Sequence, residues 1–192
     1  MGYYRALREI RDELPEDAIV VAEGATTMDI SRQVINNSLP RHRLDAGSWG
    51  TMGVGLPQAI AAQVAFPDSV VVDIEGDSAF GFSGMEVEVA CRLNLPIVFI
   101  ILNNNGIGGG PTELLPIDQI PPGAYYPDAH YERVIEAFGG VGVYVDNPDD
   151  VGLAVRKAIA SRRPTVINVV LDNEATRRPQ EFAWHTGSAA MR

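Results

Sequence analysis

Glu75-Gly-Asp-Ser-Ala-Phe-Gly-Phe-Ser-Gly-Met-Glu86, followed after a helix-like run by Pro96-Ile-Val-Phe-Ile-Ile-Leu-Asn-Asn-Asn-Gly106, decides the fold. The apolar run Val70-Val-Val-Asp-Ile74 leads into it and ends at Gly76-Asp77. From Ser83 to Leu93, the residues Met85, Val89 and Leu93 recur at helical spacing. Ile97 to Leu102 is apolar on both faces, as a fully buried parallel strand is. The order strand, glycine-rich turn, helix, strand predicts two adjacent parallel strands. It delivers Asp77 and Asn104 to one sheet edge, the carboxyl edge where open α/β sheets bind ligands. One carboxylate, one amide oxygen and a backbone carbonyl near Gly106 form a hard, all-oxygen half-shell. Such a shell suits Mg²⁺ that keeps its other positions for phosphate oxygens and water. A strand-end Asp capping the next helix, with an Asn-rich turn, is the structural alternative.

Outward from this unit, strands and helices alternate. Tyr4, Leu7, Ile10 and Leu14 space as one helix face, stopped at Pro15. Ala18 to Ala22 reads as a strand ending at Glu23-Gly24, and Thr26 or Thr27 caps a helix running to about Ile35. Residues 36 to 43 read as a loop, and Val54 to Phe66 as an Ala-rich helix stopped by Pro67. Residues 104 to 128, rich in Pro and Gly, form a long loop, and long loops in compact domains are usually functional. Gly108-Gly-Gly110 reads as its hinge, so the segment to Pro127 is expected to be a mobile lid. His130 to Phe138, Val141 to Val145, Pro148 to Ser161 (capped through Asn147) and Pro164 to Leu171 complete the alternation. The fold class expected is α/β: one three-layer domain over residues 1–171, with a mostly parallel sheet and helices on both faces, then a polar tail over 172–192, a candidate active-site cover.

Composition narrows the function classes. With 46% apolar and 21% charged residues, the chain can bury a full core. A net charge of −10 argues against nucleic acid, which demands clustered Lys and Arg. It leaves room for a phosphorylated cofactor, because a divalent cation can supply the positive charge. The lone Cys91 fits a core thiol in a reducing compartment. No leader pattern or run of membrane-spanning length is evident, so a cytoplasmic location with no membrane partner is expected.

Four blocks carry a resemblance: Glu23-Gly-Ala-Thr-Thr-Met-Asp29, Arg43-Leu-Asp-Ala-Gly-Ser-Trp-Gly-Thr-Met-Gly-Val-Gly55, the Glu75–Gly106 unit, and Ala137-Phe-Gly-Gly140. Together they resemble the diphosphate-binding domain of thiamine-diphosphate enzymes. Within that group they are most similar to the 2-hydroxyacyl-CoA lyases and their sister family, the oxalyl-CoA decarboxylases. The tail Glu174-Ala-Thr-Arg-Arg-Pro-Gln-Glu-Phe-Ala-Trp184 is similar to the lyases and not to the decarboxylases.

The resemblance implies thiamine diphosphate and Mg²⁺ as cofactors. It implies Asp77, Asn104 and the Gly106 carbonyl as metal ligands. Gly76, Ser78 and Ala79 would offer hydrogen bonds to the diphosphate, with the positive end of the following helix behind them. Glu23, Gly24 and Ala25 would border the same pocket, and Asn104, Gly106 and Ile107 would flank it. The Gly50 carbonyl would accept from the cofactor's amino group, and Met52 would wedge between its rings. The carboxylate that activates the cofactor belongs to a separate pyrimidine-binding domain, which nothing in this chain matches; no catalytic residue is therefore assigned here.

The implied reaction cleaves a 2-hydroxyacyl-CoA to an aldehyde or ketone plus formyl-CoA, or runs the reverse condensation. Oxalyl-CoA decarboxylation is the alternative chemistry, and a non-catalytic cofactor- or partner-binding subunit is the alternative class. A homo- or hetero-oligomer is implied, with the pyrimidine domain facing this one. Gly108 departs from the pattern, since near relatives carry Tyr there. It and the tail residues Arg177 and Arg178 are the candidates for acyl-CoA contact.

Overall fold

The computed structural model describes residues 1–178. Six parallel strands form one sheet: β1 (Ile19–Glu23), β2 (Arg43–Asp45), β3 (Val71–Gly76), β4 (Val98–Asn103), β5 (Val141–Val145) and β6 (Thr165–Val170). Their order across the sheet is β2-β1-β3-β4-β6-β5. Seven helices surround it: α1 (Tyr3–Arg11), α2 (Ala25–Val34), α3 (Gly55–Ala65), α4 (Asp77–Ser83), α5 (Val87–Arg92), α6 (Glu132–Glu136) and α7 (Val151–Ser161).

Side-chain alternation along each strand divides the core in two. Val20, Val72, Ile74, Ile100, Leu102 and Ile167 point to one face and pack with Leu7 and Ile10 of α1, Ile30 of α2 and Val155 of α7. Val21, Val71, Phe99, Ile101 and Val166 point to the other and pack with Leu56 and Ala59 of α3, Phe80 of α4, Val87 of α5 and Ile135 of α6. Burial on both faces is why β4 reads as an apolar run, unbroken from Val98 to Leu102, and the three-layer α/β expectation holds.

Several local expectations change. β2 lies in the stretch joining the predicted loop to the glycine-rich block; it is only three residues long and too short for a pattern, and its pairing with β1 supplies its order. α2 has no side-chain cap: Gly24, at φ 99°, makes the entry that Thr26 or Thr27 was expected to make. The single helix expected from Ser83 starts instead at Asp77 and breaks into α4, a 3₁₀ turn at Gly84–Glu86, and α5. The break rotates the register, so Val87 and Ala90 are buried while Met85 is 67% exposed. At the break, a Cβ on Gly84 would meet the Phe80 ring, so glycine there lets the turn close over it. In α1 the buried face is Tyr3, Ala6, Leu7 and Ile10; Tyr4 and Leu14 pack only at its margin.

Asn147 caps the helical turn before α7 as expected, its side chain accepting the Asp149 N–H. Cys91 is half-buried at the edge of the second cluster, where burial pushes its thiol up. No helix among the described residues is long and apolar enough to cross a membrane.

Candidate cofactor site

β3 and β4 are paired in register, Gly76 opposite Leu102, so their carboxyl ends finish side by side. Asp77 follows β3 directly and Asn104 follows β4. The Asp77 carboxylate joins the two ends. Its Oδ1 accepts the Ser78 N–H at 2.7 Å, and its Oδ2 accepts the Gly106 N–H at 2.8 Å. Burial pushes its carboxyl up to about 6, while backbone N–H groups of Ser78, Gly106, Asn104 and Asn105 pull the other way.

Asn104 is buried, and its amide has one terminal atom 2.9 Å from the Gly106 carbonyl oxygen. Its other terminal atom lies 3.1 Å from the Gly109 nitrogen and 3.0 Å from the Tyr3 hydroxyl. Turned one way, the amide donates to Gly106. Turned the other, Asn104 Oδ1 and the Gly106 carbonyl oxygen stand together beside Asp77, an arrangement that a hard cation stabilises. No group of three or more His, Cys, Asp or Glu among the described residues is placed to hold a metal. A cation here would therefore rest on one carboxylate and two neutral oxygens, with positions left for phosphate oxygens and water. The residues present fit Mg²⁺ with a diphosphate.

A cleft of about 260 Å³ opens over these groups. Gly24, Ala25, Met52, Gly76, Asp77, Ser78, Asn104, Gly106, Ile107 and Gly108, all singled out by sequence, line it. Gly24 approaches the turn at β3 closely enough that a Cβ would contact the Gly76 nitrogen. Thr26, the last residue of the Glu23-Gly-Ala-Thr stretch expected at this pocket, also lines it; Tyr3, Thr27 and Phe82 line it too and were missed. Tyr3 hides on the apolar face of α1, where only its hydroxyl hints at a polar partner. Gly50 and Met52 line an adjoining cleft with Asp29, Arg32 and Ser48.

Three expectations are corrected. Glu23 does not border the cleft. Its side chain is fully buried, and its carboxylate accepts the N–H groups of Gly53 at 2.6 Å, Val54 at 2.7 Å and Gly55 at 2.5 Å. It satisfies the open amides at the start of α3 and fixes the turn carrying Gly50 and Met52. Ala79 is fully buried beneath the cleft, and the Ser78 N–H is already engaged by Asp77, leaving Ser78 its hydroxyl. α4 is only seven residues long, so individual groups at this turn matter more than a helix dipole.

The Gly108–Gly110 hinge is also constrained. A Cβ on Gly109 would collide with the Asn173 carbonyl, and one on Gly110 with the Asn105 carbonyl. The Gly110 N–H donates to the Asn104 carbonyl at 2.9 Å, and its own carbonyl accepts from Asn173 Nδ2 at 2.7 Å. These two glycines permit close backbone packing. Gly108, at φ 79° with open space around a Cβ, is the unrestrained one.

Arg177 pairs with Asp29 at 2.7 Å, beside the adjoining cleft. Arg178 stacks its guanidinium 4.7 Å from the Tyr4 ring centroid, and its backbone N–H donates to the Tyr4 hydroxyl at 3.2 Å. Both thus pin the start of the tail onto α1 and α2; the rest of the tail, including Pro179 to Trp184 of the lyase-like block, lies outside the described residues. Arg43 donates to the Ile35 carbonyl at 2.6 Å, and Asp45 takes its hydrogen-bonded pair from Arg32 at 2.7 Å.

Residues 22–169 match the family model described as thiamine pyrophosphate enzyme, C-terminal TPP binding domain. The chain belongs to that family. It is 47% identical over 202 residues to 2-hydroxyacyl-CoA lyase 1 of Homo sapiens, covering 98% of this chain and 35% of that protein. It is 49% identical over 181 residues to 2-hydroxyacyl-CoA lyase of Arabidopsis thaliana, covering 89% of this chain and 32% of that one. It is 46% identical over 178 residues to oxalyl-CoA decarboxylase of Escherichia coli K12, covering 91% and 31%. The chain thus spans about a third of the length of the relatives it matches. As a TPP-binding domain, it carries at the carboxyl edge of its sheet the cleft described above.

Proposed function

We propose that this domain is the diphosphate- and Mg²⁺-binding part of a lyase that cleaves 2-hydroxyacyl-CoA to an aldehyde or ketone plus formyl-CoA, or runs the reverse condensation. The observation that carries the cofactor reading is the convergence of the Asp77 carboxylate, the Asn104 amide and the Gly106 carbonyl at the ends of two paired strands. The lyase names of the relatives, and the lyase-like block beginning at Glu174, favour this chemistry over oxalyl-CoA decarboxylation.

When bound, thiamine diphosphate supplies a centre that stabilises a carbanion. The chain's own groups hold and orient it. Asp77, Asn104 and Gly106 hold the cation; Gly76 and the Ser78 hydroxyl face the diphosphate; Gly24, Ala25 and Ile107 shape the walls. Gly50 and Met52 stand on the turn fixed by Glu23, placed to position the ring end of the cofactor. Gly108, Arg177 and Arg178 remain the candidates for acyl-CoA contact.

The activating carboxylate would come from a pyrimidine-binding domain, on this polypeptide or another, within a homo- or hetero-oligomer. Exposed Trp49, Phe82 and Met85, borne by or next to the segments that line the two clefts, support a covering partner. A single cysteine supports a reducing compartment such as the cytoplasm.

The test is Asp77→Ala. In the protein assembled with its pyrimidine domain, the variant should lose Mg²⁺-dependent thiamine diphosphate binding by calorimetry, and with it condensation of formyl-CoA with aldehydes. Unchanged cofactor affinity overturns the metal assignment. Intact cofactor binding in the unaltered protein, without carbon–carbon bond formation or cleavage on CoA thioesters, overturns the lyase assignment and favours a binding subunit.

A further inference from the structure

We propose that the Tyr3 hydroxyl is a positioning residue for the cation, holding the Asn104 amide with Oδ1 turned toward Asp77 and Gly106. The inference rests on the Mg²⁺ reading of this cleft and assigns it a residue outside the metal-ligand motif.

The argument is one of donors and acceptors. Among the described residues, three groups meet the Asn104 amide: the Gly106 carbonyl at 2.9 Å, the Gly109 N–H at 3.1 Å and the Tyr3 hydroxyl at 3.0 Å. The carbonyl only accepts, the N–H only donates, and the phenol does either. Without a cation, Nδ2 donates to Gly106, and Oδ1 accepts from both Gly109 and Tyr3. To ligate a cation with Oδ1, the amide must rotate by half a turn. Nδ2 then faces Gly109 and Tyr3, and of these only the Tyr3 hydroxyl can accept from it. The Gly109 N–H, released by the amide, still has the Gly106 carbonyl at 3.3 Å.

Tyr3 is well placed for this. It is 4% exposed, held in the core by the α1 face it shares with Leu7 and Ile10, and its hydroxyl end reaches the cleft. A Phe there would leave Oδ1 still satisfied by Gly109 in the cation-free orientation. In the cation-bound orientation it would strand Nδ2. The loss falls on the loaded state, so it reads as weaker binding.

The test is a Mg²⁺ titration at fixed excess thiamine diphosphate, followed by calorimetry in the assembled protein, with thermal melts run without metal. Tyr3→Phe should weaken the apparent Mg²⁺ affinity about tenfold, the scale of one buried polar group left unpaired. Its metal-free melting temperature should stay within a few degrees of the unaltered protein. Tyr4→Phe, which removes the neighbouring hydroxyl that accepts from Arg178, should leave the Mg²⁺ affinity unchanged. Unchanged affinity in Tyr3→Phe overturns the proposal while leaving the cofactor reading intact. Equal weakening in both variants also overturns it, because the effect would then come from α1 as a whole. Absence of Mg²⁺-dependent binding in the unaltered protein overturns the cofactor reading and this inference with it.

Discussion

Glu23, at the end of β1, accepts the Gly55 N–H at the start of α3, and a Cβ on Gly55 would collide with the carboxylate of Glu75 on the neighbouring strand. The two strands are in register there, Glu23 opposite Glu75. A buried carboxylate thus binds the helix that packs above it, and glycine is what lets the helix come close enough.

That contact makes Glu23 a stability residue. Glu23→Ala would leave the N–H groups of Gly53, Val54 and Gly55 without their acceptor. The expected cost is about 3 kcal/mol, from stranded buried donors and a lost helix entry. Urea unfolding of the full chain measures it. The same variant should weaken cofactor affinity through the Gly50–Gly53 turn; a loss below about 0.5 kcal/mol would contradict the role.

Asp73 and Glu75 give the domain a pH dependence. Both point from β3 toward α3, fully buried, and among the described residues their carboxyl oxygens have no hydrogen-bond partner. Burial, with Glu23 nearby, pushes the Asp73 carboxyl from 3.8 up to about 7, and burial also raises Glu75 well above its usual range. A carboxyl whose folded value lies above its unfolded value binds its proton more tightly when folded. Stability from Asp73 is therefore full below about pH 4 and is lost as pH rises toward 7. Asp73→Asn removes that penalty and should raise the melting temperature at pH 8 by about 6 °C, corresponding to about 2 kcal/mol, with little change at pH 4. Equal shifts at both pH values would show that the pair does not titrate in this window.

Position 108 bears on substrate range. A Cβ at Gly108 meets nothing within 4 Å, so a Tyr side chain has room to enter the cleft. The backbone there is left-handed, at φ 79°, which costs a Tyr about 1 kcal/mol of strain. Gly108→Tyr should narrow the carbonyl partner toward small substrates, raising the kcat/KM ratio of formaldehyde over acetone in the assembled enzyme. An unchanged ratio removes Gly108 from the specificity argument and leaves Asp77 and Asn104 untouched.

The alternation of apolar runs with helical spacing was enough, by itself, to determine a parallel α/β sheet. Burial of strands on both faces writes itself into composition, as Ile97 to Leu102 demonstrates. Gly76-Asp77 and Asn103-Asn104 were legible as strand ends, because chain polarity in a parallel sheet brings such ends to one edge. Tertiary structure alone decided the rest. It turned Glu23 away from the cleft, since the open amides of α3 are supplied by a helix far along the chain. It ordered β2, too short to hold a pattern, by pairing it with β1. It brought Tyr3 to Asn104, a contact between the first helix and the fourth strand's end that no local spacing encodes. Periodicity records which face of an element is buried; it does not record which polar groups meet when separate elements pack, because that depends on the distance and angle at which the finished core holds them.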